Sequence, residues 1–102
     1  MTLPARDHRI NLADAAALTK RYQAANPKSV KAAVFQGKQV LAMLSQPGCA
    51  GMRVYYGLKA DGSSTLVLTG IDAADNDLVG GTILEDPFWC PPFCGGGNQL
   101  NS

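Results

Sequence analysis

The three cysteines are the residues of this chain best suited to chemistry. Cys90 and Cys94 flank a Pro-Pro-Phe stretch, and Cys49 lies far upstream between small residues. Thiolates bind metals and form disulfides, so the pair leaves three alternatives: half of a metal site, a disulfide, or inert thiols. Zinc takes four ligands, and Cys49 and His8 are the other soft side chains. The candidate metal ligands are therefore Cys49, Cys90 and Cys94, for zinc or an iron–sulfur cluster, against the simpler alternative of no cofactor.

The two prolines decide whether Cys90 and Cys94 can bridge. In polyproline II geometry, at about 3.1 Å per residue, the two cysteine Cα atoms would lie roughly 12 Å apart. A disulfide needs about 4.4 to 6.8 Å. Bridging therefore requires a turn, and a cis peptide bond before Pro91 or Pro92 is one way to make it. A pair that oxidises and is reduced again would act as a redox switch that re-aims this segment.

Phe88, Trp89 and Phe93 surround the pair in a segment rich in proline and glycine. Such a segment can fold back and bury its aromatic rings against its own domain. It can also stay free and dock onto a partner, or exchange between two protomers. The three aromatic residues are therefore the candidate partner-binding residues.

No catalytic residue is predicted. His8 is the only histidine, and no recognisable motif places a nucleophile beside it. The acidic stretch from Asp72 to Asp77 lacks the glycine and the later glutamate of a calcium loop. Since Asp and Asn are ordinary turn formers, this stretch is predicted to be a turn, and the protein is not expected to be an enzyme.

Hydrophobic patterns predict the elements that carry these residues. Alternation of apolar and polar side chains predicts strands over residues 52–59, 64–71 and 78–84, joined by two turns. Three such strands form an antiparallel meander with one apolar face, which needs a cover. In the first strand that face carries Met52, Val54, Tyr56 and Leu58.

The cover is predicted to come from upstream helices. Helical spacing of apolar residues indicates a helix from Leu12 to about Ala25, with Asn11 as its N-cap. Further helical segments are expected over Lys28–Gln36 and Lys38–Gln46, since Pro27 can open a helix and Pro47-Gly48 can end one.

The predicted fold class is α+β: two or three N-terminal helices packed on a three-stranded antiparallel meander, with a Pro/Gly-rich C-terminal arm. A chain of 102 residues makes one small domain. Residues 1–9 are expected to be a flexible lead-in, and residues 85–102 an irregular arm and tail, of which the polar residues 98–102 are expected to be a free tail.

Composition excludes several classes of partner. Charged residues make up 17% of the chain, the net charge is +1, and no basic run is present, so neither nucleic acid nor a membrane is expected to bind. No stretch has the length of a membrane span or the pattern of a signal peptide. The predicted compartment is cytoplasmic, where free thiols are the expectation.

The Gly48-Cys49-Ala50-Gly51-Met52 stretch resembles the Gly-Cys-Ser-Gly-Met stretch of the A-type iron–sulfur carriers. In that family two further cysteines follow near the C-terminus as Cys-Gly-Cys, where this chain has Cys-Pro-Pro-Phe-Cys. The resemblance implies a cluster on Cys49, Cys90 and Cys94. The alternative is a connection of small residues between a helix and a strand.

A broader pattern covers most of the chain. It includes Gln-Pro-Gly-Cys before the first strand (Gln46 to Cys49), the acidic turn, and the Cys-Pro-Pro-x-Cys arm. It is similar to a group of small bacterial proteins of unassigned function, which implies a recurring compact module and brings no activity. We expect a non-enzymatic interaction or assembly module with a protein partner or self-association. A thiol-based metal or iron–sulfur site, or a Cys90/Cys94 redox switch, are the alternatives.

Overall fold

The computed structural model describes residues 2–102, and Met1, the first residue of the predicted lead-in, lies outside them. Within these residues the chain forms two helices and five strands in two sheets. In chain order these are α1 (Leu12–Ala25), β1 (Ala32–Val34), α2 (Gly37–Leu44), β2 (Gly51–Leu58), β3 (Ser64–Ile71), β4 (Ile83–Glu85) and β5 (Phe88–Cys90).

The chain divides into two compact units. The first, called the meander unit, comprises residues 2–5 and Phe35–Pro87 and contains α2, β2, β3 and β4. The second, called the cystine unit, comprises Arg6–Val34 and Phe88–Ser102 and contains α1, β1 and β5.

The three strands of the meander unit pair in the order β2-β3-β4. Tyr56 lies opposite Leu66 in the first pair, and Leu68 lies opposite Leu84 in the second. The turn between β2 and β3 contains Gly62 at a φ of 87°, a conformation that glycine adopts without steric cost. The antiparallel meander predicted from the sequence is therefore present.

The third strand is shorter than predicted. The alternation predicted a strand over residues 78–84, whereas β4 covers Ile83–Glu85. The Leu78 N–H donates to the Gly70 carbonyl at 2.9 Å, and the Gly81 N–H donates to the Leu78 carbonyl at 3.0 Å. The chain thus turns at the glycine pair before β4 begins, because glycine weakens a strand and favours a turn.

A small core lies between α2 and the sheet of the meander unit. Met43 of α2 is fully buried, and Leu68 of β3 is buried as well. Ile71 is also buried, but it lies on the opposite face of β3, beside Gly51. α2 packs on β3 and β4. At the other end of β3, the buried Thr65 hydroxyl donates to Oε2 of Glu85 at 2.5 Å. The central strand β3 therefore carries most of the buried side chains of this unit.

The cystine unit joins an N-terminal and a C-terminal segment of the chain. α1 begins after Asn11, whose Oδ1 accepts the Asp14 N–H at 2.8 Å, so the predicted N-cap is confirmed. β1 and β5 pair antiparallel, with Val34 opposite Phe88. In this unit Ala16 and Cys90 are the buried apolar residues.

The predicted fold class needs correction, although helices, the meander and a helix on the sheet are present. Lys28–Gln36, predicted as a helix, contains strand β1, because these residues find a partner strand in β5. The C-terminal arm, predicted as irregular, begins with β5. Of the two helices, α2 packs on the meander, whereas α1 belongs to the cystine unit. The result is two sheets rather than one meander under two or three helices.

Candidate interaction surface

β2 is an edge strand: no other strand among residues 2–102 pairs with its outer side. The Lys59 N–H donates to the Ser63 carbonyl at 2.8 Å, so Lys59 directs its backbone groups toward the β3 side. In an antiparallel ladder this direction alternates from residue to residue. The backbone groups that point to the free edge therefore belong to Met52, Val54, Tyr56 and Leu58.

The same residues carry exposed apolar side chains, and together they are called the outer strip. Tyr56 is 92% exposed and Leu58 is 75% exposed, and Met52 and Val54 are exposed as well. The predicted helical cover leaves these residues exposed, because α2 packs on β3 and β4. Edge strands are usually defended by charge, proline or short length. The outer strip has neither charge nor proline, and β2 has eight residues.

The opposite edge of the same sheet is defended. β4 has three residues and ends at Glu85. Asp86 follows and pairs with Lys59 at 2.7 Å, and the next residue, Pro87, lacks the N–H that a further strand would need. The exposed apolar edge is therefore a property of β2 and not of the sheet as a whole.

The polar face of β2 is held by a charged cluster. Arg53 donates from Nη1 to Oδ1 of Asp77 at 2.5 Å and from Nη2 to Oδ1 of Asp75. The Tyr55 hydroxyl donates to the second oxygen of Asp77. The predicted turn thus has a second role, since its carboxylates fix β2. Sequence reasoning missed this cluster, although Arg53 and Tyr55 share the polar face of the alternating strand.

The cluster shifts the pKa values of its members. The hydrogen bond from Tyr55, and then the charge of Arg53, lower the pKa of Asp77 below its ordinary value. The hydrogen bond to Asp77 raises the pKa of both Tyr55 and Arg53. Arg53 is therefore charged and engaged within its own unit, and its charge does not guard the outer edge of β2.

Cys90 and Cys94 form a disulfide, with their Cα atoms 4.7 Å apart. The Cys90–Pro91 and Pro91–Pro92 peptide bonds are both cis, so the chain turns here as bridging requires. The expectation of free thiols is wrong for this pair. Cys49 is a free thiol in the meander unit, and its Sγ donates to the Gly51 carbonyl at 3.2 Å.

The metal hypothesis on Cys49, Cys90 and Cys94 stays a prediction. In the described part of the chain, 2–102, no group of three His, Cys, Asp or Glu side chains is placed to hold a metal ion. Metals are bound by thiolates, and a disulfide offers none. Zinc or an iron–sulfur cluster on these residues would thus require the Cys90–Cys94 bond to be reduced first.

The Gln-Pro-Gly-Cys motif connects α2 to the sheet. Nε2 of Gln46 donates to the Met43 carbonyl at 2.7 Å, and its Oε1 accepts the Thr82 N–H at 2.8 Å. Cys49 packs on Gly70 so closely that a Cβ there would lie 2.9 Å from its Sγ. These contacts account for the motif as a structural connection between a helix and a strand.

The predicted partner-binding aromatic residues lie in the cystine unit. Phe88 and Trp89 belong to β5, and the ring of Phe93 lies 4.9 Å from that of Phe88, tilted by 54°. Phe88 and Phe93 are both about half exposed, and Trp89 is partly buried. The arm is thus folded onto β1 while two of its rings stay accessible. Their role in binding stays a prediction.

The C-terminal residues are bound, and the expectation of a free tail is wrong. Nζ of Lys31 donates to the Asn101 carbonyl at 2.7 Å, and Nε2 of Gln23 donates to the Leu100 carbonyl at 2.8 Å. Nδ2 of Asn101 also donates to the Cys94 carbonyl at 3.0 Å. Several of these residues line a cavity of about 300 Å³ beside the disulfide. No sequence pattern signals these long-range contacts.

No family model, curated protein or solved structure matches the chain. A membrane-spanning helix, which must be both long and strongly apolar, is not found among residues 2–102. The function is therefore inferred from the geometry of the two units.

Proposed function

We propose that this chain is a non-enzymatic interaction module that binds its partner through the outer edge of β2. The observation that supports the proposal is the coincidence, on the outer strip, of edge-facing backbone groups and exposed apolar side chains. A partner strand added at this edge would accept and donate the missing ladder hydrogen bonds. It would also bury the apolar side chains, each worth about 1.5–3 kcal/mol when fully removed from water.

The charged cluster supports the same function from the opposite face. Arg53 and Tyr55 bind the 72–77 turn through Asp75 and Asp77, so β2 is held in an extended conformation before a partner arrives. Ordering a flexible segment costs affinity, and a strand that is already ordered avoids that cost. Phe88 and Phe93 provide a second accessible apolar surface, in the cystine unit, which we include in the proposal as a lesser contact.

Photo-crosslinking in the cells that produce the protein tests this function. A benzophenone amino acid replaces Tyr56 in one variant and Val79 in the other. Val79 belongs to the same unit and is exposed at 75%, so it is a matched control. We expect a discrete adduct from position 56 that position 79 does not form. Equal, diffuse labelling at the two positions would contradict the proposal.

The Cys90–Cys94 disulfide favours a second candidate, a redox switch. We propose the cytoplasm as the compartment, as the sequence predicts, and disulfides of cytoplasmic proteins are usually transient. Reduction would free the Phe93–Cys94 segment beside β5, and so alter the aromatic surface. Equilibration with glutathione buffers, followed by mass analysis of trapped thiols, measures the reduction potential. A value near the glutathione poise of about −220 to −260 mV supports a switch, and one below about −300 mV indicates a structural bond.

A further inference from the structure

We infer that the partner strand on the outer edge of β2 is β2 of a second copy of this chain, antiparallel about a two-fold axis at Tyr55. The inference rests on the proposed function, since it names the partner of the same edge. A two-fold interface must be self-complementary, with the same patch on both sides. An antiparallel strand edge meets this condition in its backbone, because donors and acceptors alternate along it.

The direction of the backbone groups limits the register. Residues whose backbone groups point to the edge must lie opposite residues of the same kind. Each of Met52, Val54, Tyr56 and Leu58 in one copy therefore lies opposite one of these four residues in the other copy. An axis at Tyr55 places Met52 opposite Leu58, and Val54 opposite Tyr56. All members of the outer strip then have apolar neighbours across the interface, and about eight backbone hydrogen bonds form.

Charge distinguishes this register from its neighbours. With the axis at Tyr55, Arg53 lies opposite Gly57 of the second copy, which has no side chain to clash with the charged cluster. Shifting the axis to Tyr56 would place Arg53 opposite Lys59, and like charges directly opposite are unfavourable. Shifting it to Val54 would leave Leu58 opposite Ala50, outside β2, and would shorten the ladder.

The cationic side chains near the edge are also paired within each copy. Arg53 pairs with Asp75 and Asp77, and Lys59 pairs with Asp86 at 2.7 Å. The outer strip itself carries no charge. Two identical copies therefore bring no like charges together on the face of the outer strip. The cluster, one arginine with two aspartates, keeps one net negative charge on the opposite face of β2.

Sedimentation equilibrium of the purified chain from micromolar to millimolar concentration tests the inference. We expect a reversible dimer. Tyr56→Lys should raise its dissociation constant at least about tenfold, because each dimer loses two aromatic side chains from a small interface. Val79→Lys places the same charge on another exposed residue outside β2, where exposure is 75%, and should leave the dimer unchanged. Amide ¹H–¹⁵N NMR spectra of both variants, compared with that of the parent chain, check that the variants fold.

The outcomes separate the inference from the proposed function. A strict monomer at all concentrations would overturn the self-pairing alone, because an adduct with another protein at position 56 would still support an interaction module. A dimer that is unaffected by Tyr56→Lys but lost in Leu18→Lys, at an exposed position of α1, would also overturn it. A monomer that forms no specific adduct at position 56 would contradict both.

Cysteine crosslinking tests the register. Directly opposite residues of a non-hydrogen-bonded pair have Cα atoms about 4.5 Å apart, within disulfide range. In a Cys49→Ala background, Tyr55→Cys should therefore crosslink two copies under mild oxidant. Val54→Cys is the control, since its counterpart would lie diagonally at about 7–8 Å. Efficient crosslinking from Val54→Cys and not from Tyr55→Cys would reject the proposed axis.

Discussion

Compared with each other, the meander unit buries apolar side chains, whereas the cystine unit is joined by a disulfide and polar contacts. Met43, Leu68 and Ile71 are buried in the first. In the second, Cys90 is bonded to Cys94, and Asn101 is held by its own side chain and by Lys31. Small units that cannot build a sufficient core are commonly stabilised by disulfides. The comparison predicts that each unit is sensitive to a different kind of change.

The largest effect is expected from a cavity in the meander unit. Met43→Ala should lower the free energy of unfolding of this unit by about 2–5 kcal/mol, because the side chain is fully buried and its space is not refilled. Hydrogen exchange of the β3 amides measures the loss. Val79→Ala, at a position that is 75% exposed, should change the free energy of unfolding measured by exchange by less than about 0.5 kcal/mol. Similar values for the two variants would remove the contrast between the units.

A smaller effect is expected from breaking the crosslink of the cystine unit. Cys94→Ser should lower the stability of this unit by about 2 kcal/mol, the loop entropy of a short closed loop. Urea unfolding followed by the fluorescence of Trp89, the one tryptophan of the chain, reports on it. Reductant should bring the parent chain to the same midpoint and leave the variant unchanged. A parent midpoint that does not respond to reductant would argue against the crosslink as the source of stability.

The polar contacts of the cystine unit are expected to contribute less. Asn101→Ala removes side-chain hydrogen bonds to the Cys94 and Gly96 carbonyls and from the Asn98 N–H. We expect a loss of about 1 kcal/mol and increased motion of residues 98–102 in heteronuclear NOE measurements. Ser102→Ala is the control, since Ser102 is bound to Asn98 through its backbone. If both variants remain equally ordered, the tail is held by other contacts.

The smallest effect concerns pH and the meander unit alone. Because the folded-state pKa of Asp77 is lowered, its stabilising contribution is present above the unfolded value of about 3.9. It is lost as pH falls through the lower folded value. Urea midpoints of the parent and of Asp77→Asn should therefore differ at pH 6 and converge as the pH drops below about 4. A constant difference down to pH 2 would mean that Asp77 acts through packing rather than charge.

Local patterns predicted the elements that depend on neighbouring residues. Helix α1 has the predicted bounds and the predicted cap at Asn11, since capping joins residues three positions apart. The β2–β3 hairpin was also predicted, because alternation and a glycine-containing turn specify it locally. The prediction failed for Lys28–Gln36, where strand β1 forms. Its partner β5 is far away along the chain, and no local pattern indicates such a pairing.

The candidate surface was predicted in part. The alternation of β2 identified its apolar residues, but their exposure depends on where α2 packs, and the sequence placed helices over them. For the cysteine pair, the sequence left three alternatives: a metal site, a disulfide or inert thiols. The structure has the disulfide. The charged cluster of Arg53 with Asp77 was not predicted, because it joins β2 to the turn that follows the next strand, β3.

By itself, the sequence determined the periodic segments, the helix cap, the hairpin turn and the geometric requirement for bridging Cys90 to Cys94. Only the tertiary structure decided that Tyr56 and Leu58 stay exposed, that β5 pairs with β1, and that Lys31 binds the C-terminal residues. The physical reason is that periodicity and turn preferences are short-range properties of the backbone. Burial and edge exposure depend on which segments, distant in sequence, come together to share a limited amount of apolar surface.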